Sequence, residues 1–116
     1  MDIELVREYC ISKKGVTESF PFNESTLVFK VMDKIFALLN LEFPHSINLK
    51  CDPIKAVELR EEYEDITPGY HMNKTHWNTL DLTGTLANRM VKELIDHSYN
   101  LVVDKLPRKT REELNK

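Results

Sequence analysis

Glycine is scarce in this chain: three in 116 residues, at positions 15, 69 and 84. A loop that cradles phosphate needs several glycines close together so that backbone amides can crowd an anion, and that class of nucleotide site is excluded. Cysteine is rarer still. Cys10 and Cys51 have no paired spacing, which argues against a zinc site and reads as two reduced, buried thiols of a cytoplasmic protein without a leader segment. Long apolar runs are also missing. Ile35 to Leu39 is typical of those present, far short of the roughly 20 residues a membrane-spanning helix requires. Basic charge is in deficit, with 16 Lys and Arg against 19 Asp and Glu and a net charge of −3. General nucleic-acid binders gain affinity by neutralising phosphates, so the total leans against one. The deficit is uneven: Lys105, Arg108, Lys109, Arg111 and Lys116 against Glu112 and Glu113 leave the tail at +3 and the preceding chain at −6. A tail of mixed sign reads as a solvated terminal helix.

What the chain does have is one dense polar-aromatic stretch, Pro68 to Asp81, with two of the four histidines, the single tryptophan, two asparagines and a lysine. Pro68-Gly69 reads as a turn in which glycine accepts positive φ, with a strand starting at Tyr70. From Thr75 to Leu82 the residues alternate, His76, Asn78, Leu80 and Leu82 on one side and Trp77, Thr79 and Asp81 on the other. Two readings stand side by side. In one, Trp77 anchors the core, His71 and His76 cap carbonyls, and the asparagines hold the turn. In the other the stretch is a solvent-facing contact surface.

Residues 1–116 form one domain, long enough for its own core. Asp2 caps a first helix built on Ile3, Val6 and Cys10, ending near Gly15. Val16 to Ser25 reads as a loop whose Phe20 and Phe22 pack their rings onto the domain. Thr26 to Met32 and Ile35 to Leu41 form a hairpin through Asp33-Lys34, placing Phe29, Val31, Phe36 and Leu38 on the core face and Val28, Lys30, Ala37 and Leu39 opposite. Ser46 to Cys51 turns Ile47, Leu49 and Cys51 inward, Asn48 and Lys50 outward. Asp52-Pro53 starts a helix to about Tyr63, with Ile54 and Val57, and beside them Ala56, Leu59 and Tyr63, facing the sheet. The strongest helix follows Thr83-Gly84-Thr85, on a stripe of Leu86, Met90, Leu94, Ser98 and Leu101 widened by Val91, Ile95 and Val102. Pro107 ends it before a short helix carrying Arg108, Lys109 and Arg111. Hairpin strands with helices on one face make a two-layer α+β domain.

Catalysis is not expected. His71 and His76, five apart on a strand, point to opposite faces and hold no metal. Ser98 beside His97 reads as surface chemistry, not a nucleophile with its base. No cofactor is implied. Binding is better supported: Lys50, His71, Asn73, Lys74, His76, Trp77 and Asn78 supply cations, amides and a stacking face, the groups that contact phosphates and base edges. They suit an acidic peptide or a metabolite equally.

Several of these segments together resemble the MmcQ/YjbR family. They are Phe29-Lys30-Val31 with Lys34-Ile35-Phe36-Ala37, Asn48-Leu49-Lys50-Cys51-Asp52-Pro53, Pro68 to Lys74 with His76-Trp77-Asn78-Thr79, and Ser98-Tyr99 with Leu101-Val102. The resemblance runs from about Pro21 to Arg111. Pro21-Phe22-Asn23-Glu24 stands where the family often has Pro-Phe-Gly-Glu. It implies a YjbR-like α+β fold similar to type III secretion chaperones, a double-wing arrangement, and a small cytoplasmic DNA-binding protein without assigned catalytic residues. The alternative is a protein-binding, chaperone-like adaptor using the apolar sheet face of Val28, Ala37 and Leu39.

Overall fold

The computed structural model describes residues 1–69 and 72–116; the expected strand start at Tyr70, and His71, lie outside them. The elements are α1 (Ile3–Ile11), β1 (Val16–Ser19), β2 (Thr26–Val31), β3 (Lys34–Asn40), β4 (Ser46–Lys50), α2 (Pro53–Glu62), β5 (Ile66–Pro68), β6 (Trp77–Asp81), α3 (Asn88–Asp104) and α4 (Arg108–Leu114). Six strands form one antiparallel sheet in the order β1-β2-β3-β4-β6-β5. The helices cover one face: α3 crosses β2, β3 and β4, α1 lies against β1 and β3, and α2 packs on β5 and β6. The fold is the expected α+β one.

Local chemistry sets the helix starts. Asp2 accepts from the Glu4 amide at 2.7 Å, and Asp52 accepts from Lys55 N with Pro53 in the first turn. In each case a carboxylate satisfies an amide that the helix itself leaves open. The α3 stripe buries Val91, Leu94, Ile95, Ser98 and Val102.

The β2–β3 hairpin departs from expectation by one residue. Met32 and Asp33 both take positive φ, 48° and 69°, so the turn sits on them and not on Asp33-Lys34. That left-handed pair matches the right-handed twist of the flanking strands, which outweighs the lack of glycine. Val31 therefore pairs with Lys34 and Lys30 with Ile35, then Phe29 with Ala37, leaving Phe36 as an inserted residue without a partner on β2. This bulge turns Phe36 and Ala37 both into the core. The helix-covered face consequently carries Leu27, Phe29, Val31, Phe36, Ala37 and Leu39. Leu38 belongs to the other face, in a small cluster with Val28 and Trp77. The adaptor surface of Val28, Ala37 and Leu39 does not exist: each is fully buried, and two of the three face the helices.

Ser98 closes the bulge. It is fully buried, its hydroxyl donating to the Phe36 carbonyl at 2.5 Å and accepting from the Lys50 amide at 2.9 Å. The serine thus serves backbone groups of two strands, and its reading as a surface residue is corrected.

Three further expectations change. Val16–Ser19 is an edge strand, not loop. Phe20 and Phe22 are 49% and 64% exposed, so their rings do not pack down. On α2 only Ala56 is buried; Ile54 and Val57 face solvent because the helix meets the sheet only at its β5–β6 flank.

Candidate functional site

The polar-aromatic stretch divides between the two faces of the sheet. Gly69 donates to the Trp77 carbonyl at 2.8 Å, and a Cβ on it would lie 2.8 Å from Trp77 Cβ. Close approach, not positive φ, is what requires glycine there. Asn73 shapes the loop: its Oδ1 accepts from the amides of Thr75 and His76 at 2.8 and 3.3 Å. Lys74 is exposed, and its carbonyl accepts from Arg60 at 2.9 Å. His76 is half-buried, with its carbonyl taking the Cys51 amide at 2.7 Å.

Trp77 turns onto the helix-free face and buries itself against Val28 and Leu38, with Ile35 and Met72 alongside. Only 8% of it remains exposed, too little for a nucleobase to stack on. Asn78 turns the other way, 2% exposed, donating to the Ala56 carbonyl of α2 at 3.3 Å. Its Oδ1 is buried without a hydrogen bond among the described residues. Of the expected contact residues, Lys50 and Trp77 thus share the helix-free face, Asn73 and Lys74 lie in the adjoining loop, and Asn78 is interior.

The helix-free face is sorted by charge along the strands. Every lysine of the sheet, Lys30, Lys34 and Lys50, sits where β2 ends, β3 begins and β4 ends. Alternation puts Lys30 and Lys50 on the helix-free face on either side of β3, about 10 Å apart at the usual strand spacing. The Lys50 ammonium is held below its ordinary pKa by burial and then by the charge of Lys105 beyond α3. Among the described residues none of Lys30, Lys34, Lys50 and Lys105 enters an ion pair.

The opposite end is built by residues 19–29, 40–49, 64–69 and 79–88, which contain Glu24, Glu42, Glu64, Asp65 and Asp81 but no lysine or arginine. A groove of about 720 Å³ opens there on the helix-free face. Thr26, Leu38, Asn40, Ser46, Asn48 and Thr79 form its floor. Phe22 and Asn23 stand on one side, Thr67 and Met72 on the other, with Glu42 at the rim. Sequence reasoning missed this groove. Alternation had turned Asn48 outward, but only strand pairing sets Asn40, Asn48 and Thr79 beside one another.

The family model described as YjbR matches residues 11–101. The chain belongs to the YjbR family. It is 34% identical over 112 residues to the uncharacterized protein YjbR of Escherichia coli K12, covering 96% of this chain and 95% of that one. It is 38% identical over 107 residues to the uncharacterized protein YbdF of Escherichia coli O157:H7, covering 91% and 88%. The crystal structure of the Deinococcus radiodurans protein DR2400, with a DUF419 domain, superposes with a TM-score of 0.91 at 38% identity, over 97% of this chain and 87% of that one. The YjbR match takes in all six strands and stops within α3, so both ends of the helix-free face belong to the family unit and α4 lies beyond it. In this YjbR chain Asn23 closes its own loop, its Oδ1 accepting from the Ser25 and Thr26 amides at 2.9 and 2.8 Å. No helix among the described residues is long and apolar enough to cross a membrane.

Proposed function

We propose that the protein is a small cytoplasmic, non-catalytic binding module that engages DNA through the lysine-bearing end of its helix-free sheet face. The observation that carries this reading is the sorting of charge along the strands. A net charge of −3 need not repel a polyanion where lysines outnumber acids locally, as Lys30, Lys34 and Lys50 do over the Asp33 and Asp52 at their end, because the local potential and not the total governs encounter. Lys30 and Lys50, with Lys74 in the neighbouring loop, provide the phosphate contacts, and Lys105 adds its charge from the covered side. Lys50 favours an anion most, since burial and a second cation both raise the cost of its charge.

The absence of catalysis is supported by what the reactive groups are doing. Burial pushes the Cys10 thiol up to about 12 and raises that of Cys51, which leaves neither as an available thiolate. The Ser98 hydroxyl is held by two backbone groups. Two buried, unpaired cysteines suit a reducing compartment.

The test is fluorescence anisotropy of a labelled duplex across a salt series. Each phosphate neutralised contributes about 0.9 to the slope of log K against log salt, so Lys30→Ala and Lys50→Ala should each lower that slope by roughly this amount. No binding at low salt, or a slope that the double variant leaves unchanged, overturns the reading. A protein partner is the second reading, favoured by the groove at the lysine-free end.

A further inference from the structure

We infer that this groove docks an extended, basic peptide segment of a partner protein. The surface is independent of the lysines and of the DNA reading. Three asparagines line it, each fixed in orientation by neighbouring groups. Asn23 Oδ1 is held by the Ser25 and Thr26 amides, Asn40 Oδ1 by the Glu42 amide at 3.1 Å, and Asn48 Oδ1 by the Thr79 hydroxyl at 2.6 Å. With each amide oxygen occupied, the three Nδ2 groups have no hydrogen-bond partner among the described residues. All three side chains line the groove, so these are donors available to a ligand there. An extended backbone offers what such donors need, a carbonyl at regular spacing.

Charge selects the side chains. Among the described residues Glu42 is the one charged residue lining the groove, and no ion pair engages it there. Glu24, Glu64, Asp65 and Asp81 at the same end also lack a cationic partner; Asp65 and Asp81 accept only from Thr85 and Thr83. The Met1 ammonium reaches this end but is held by the Leu82 carbonyl at 3.1 Å. Five carboxylates with no lysine or arginine among them draw in a cation and exclude an acidic segment. Leu38 and Met72 offer an apolar contact for the aliphatic stem of an arginine or lysine.

The experiment is an NMR titration of the ¹⁵N-labelled chain with acetyl-Ala-Arg-Ala-Arg-amide and acetyl-Ala-Glu-Ala-Glu-amide. The basic peptide should move the side-chain amide signals of Asn40 and Asn48 and the backbone signals of Thr67 and Thr79 saturably, and the acidic peptide should not. Glu42 is exposed, so replacing it leaves the fold intact. Glu42→Gln should weaken binding about three- to fivefold, the scale of one exposed charge pair, and Glu42→Lys should abolish it. Lys109→Ala, on α4, should change nothing. Equal shifts with both peptides, shifts confined to carboxylates elsewhere, or groove signals unmoved at millimolar peptide each overturn the proposal. The DNA test reads different residues, so either reading can fail alone.

Discussion

The two faces of the sheet use the same strands for opposite ends. On the covered face Leu27, Phe29, Phe36, Leu39, Ile47 and Leu49 meet α1 and α3 in one continuous core. On the helix-free face the apolar content shrinks to Val28, Leu38 and Trp77, with Ile35 and Met72 at the margin. The remainder is lysine at one end and hydroxyls and amides at the other. The difference teaches that burial without a helix above it is possible when one large ring packs against the side chains of neighbouring strands, and that this frees the rest of the face for ligands.

The sharpest way to break the comparison is to cut into each face in turn. Phe36 is fully buried and meets Tyr99 edge-on at 5.4 Å. Phe36→Ala should cost about 3 to 5 kcal/mol in urea unfolding. Trp77→Ala, on the other face, should cost about 3 kcal/mol, the low end of that range. A Trp77 loss equal to or above that of Phe36 would make the open face as structural as the covered one. Ser98→Ala removes no bulk but leaves the Phe36 carbonyl and the Lys50 amide unsatisfied inside the core, and about 1 to 3 kcal/mol should be lost. Ser98→Thr should not rescue it, because the added methyl enters a filled space.

The smallest effect is alkaline. Burial raises the Cys10 thiol from 9.0 to about 12 in the folded chain. Between those values the unfolded chain has released a proton that the folded chain keeps, so stability is complete below about pH 9 and falls as pH rises toward 12. Tyr9, raised to about 12 chiefly by its hydrogen bond to Asp96, adds to the same decline from pH 10 upward. The urea midpoint should drop across this window, and Cys10→Ala should flatten its lower part.

Much of the covered face was legible because its signals are local. Asp2 and Asp52-Pro53 announce helices by capping chemistry, the α3 stripe repeats over several turns, and Ser46–Lys50 alternates cleanly. The hairpin register was not, since a turn carried by Met32 and Asp33 has no glycine to mark it. The bulge depends on Ser98, 62 positions away from Phe36, and no window of sequence contains both. β1 escaped notice because a four-residue edge strand with alternate residues exposed has almost no apolar pattern. At the site, the depth of Trp77 matched the bracing reading. The division of Trp77 and Asn78 between faces was in the alternation. The groove was not, because its asparagines come from separate strands and an exposed loop.

The outer strands of the sheet are short, four residues in β1 and three in β5. β1 carries a charged Glu18, engaged by Arg7 of α1, and β5 closes on Pro68, which has no amide to donate. A neighbouring molecule seeking to extend the sheet therefore finds few backbone groups in register and a proline among them. At high concentration the protein should stay free of fibrous self-assembly, its long hydrophobic strands kept in the middle of the sheet.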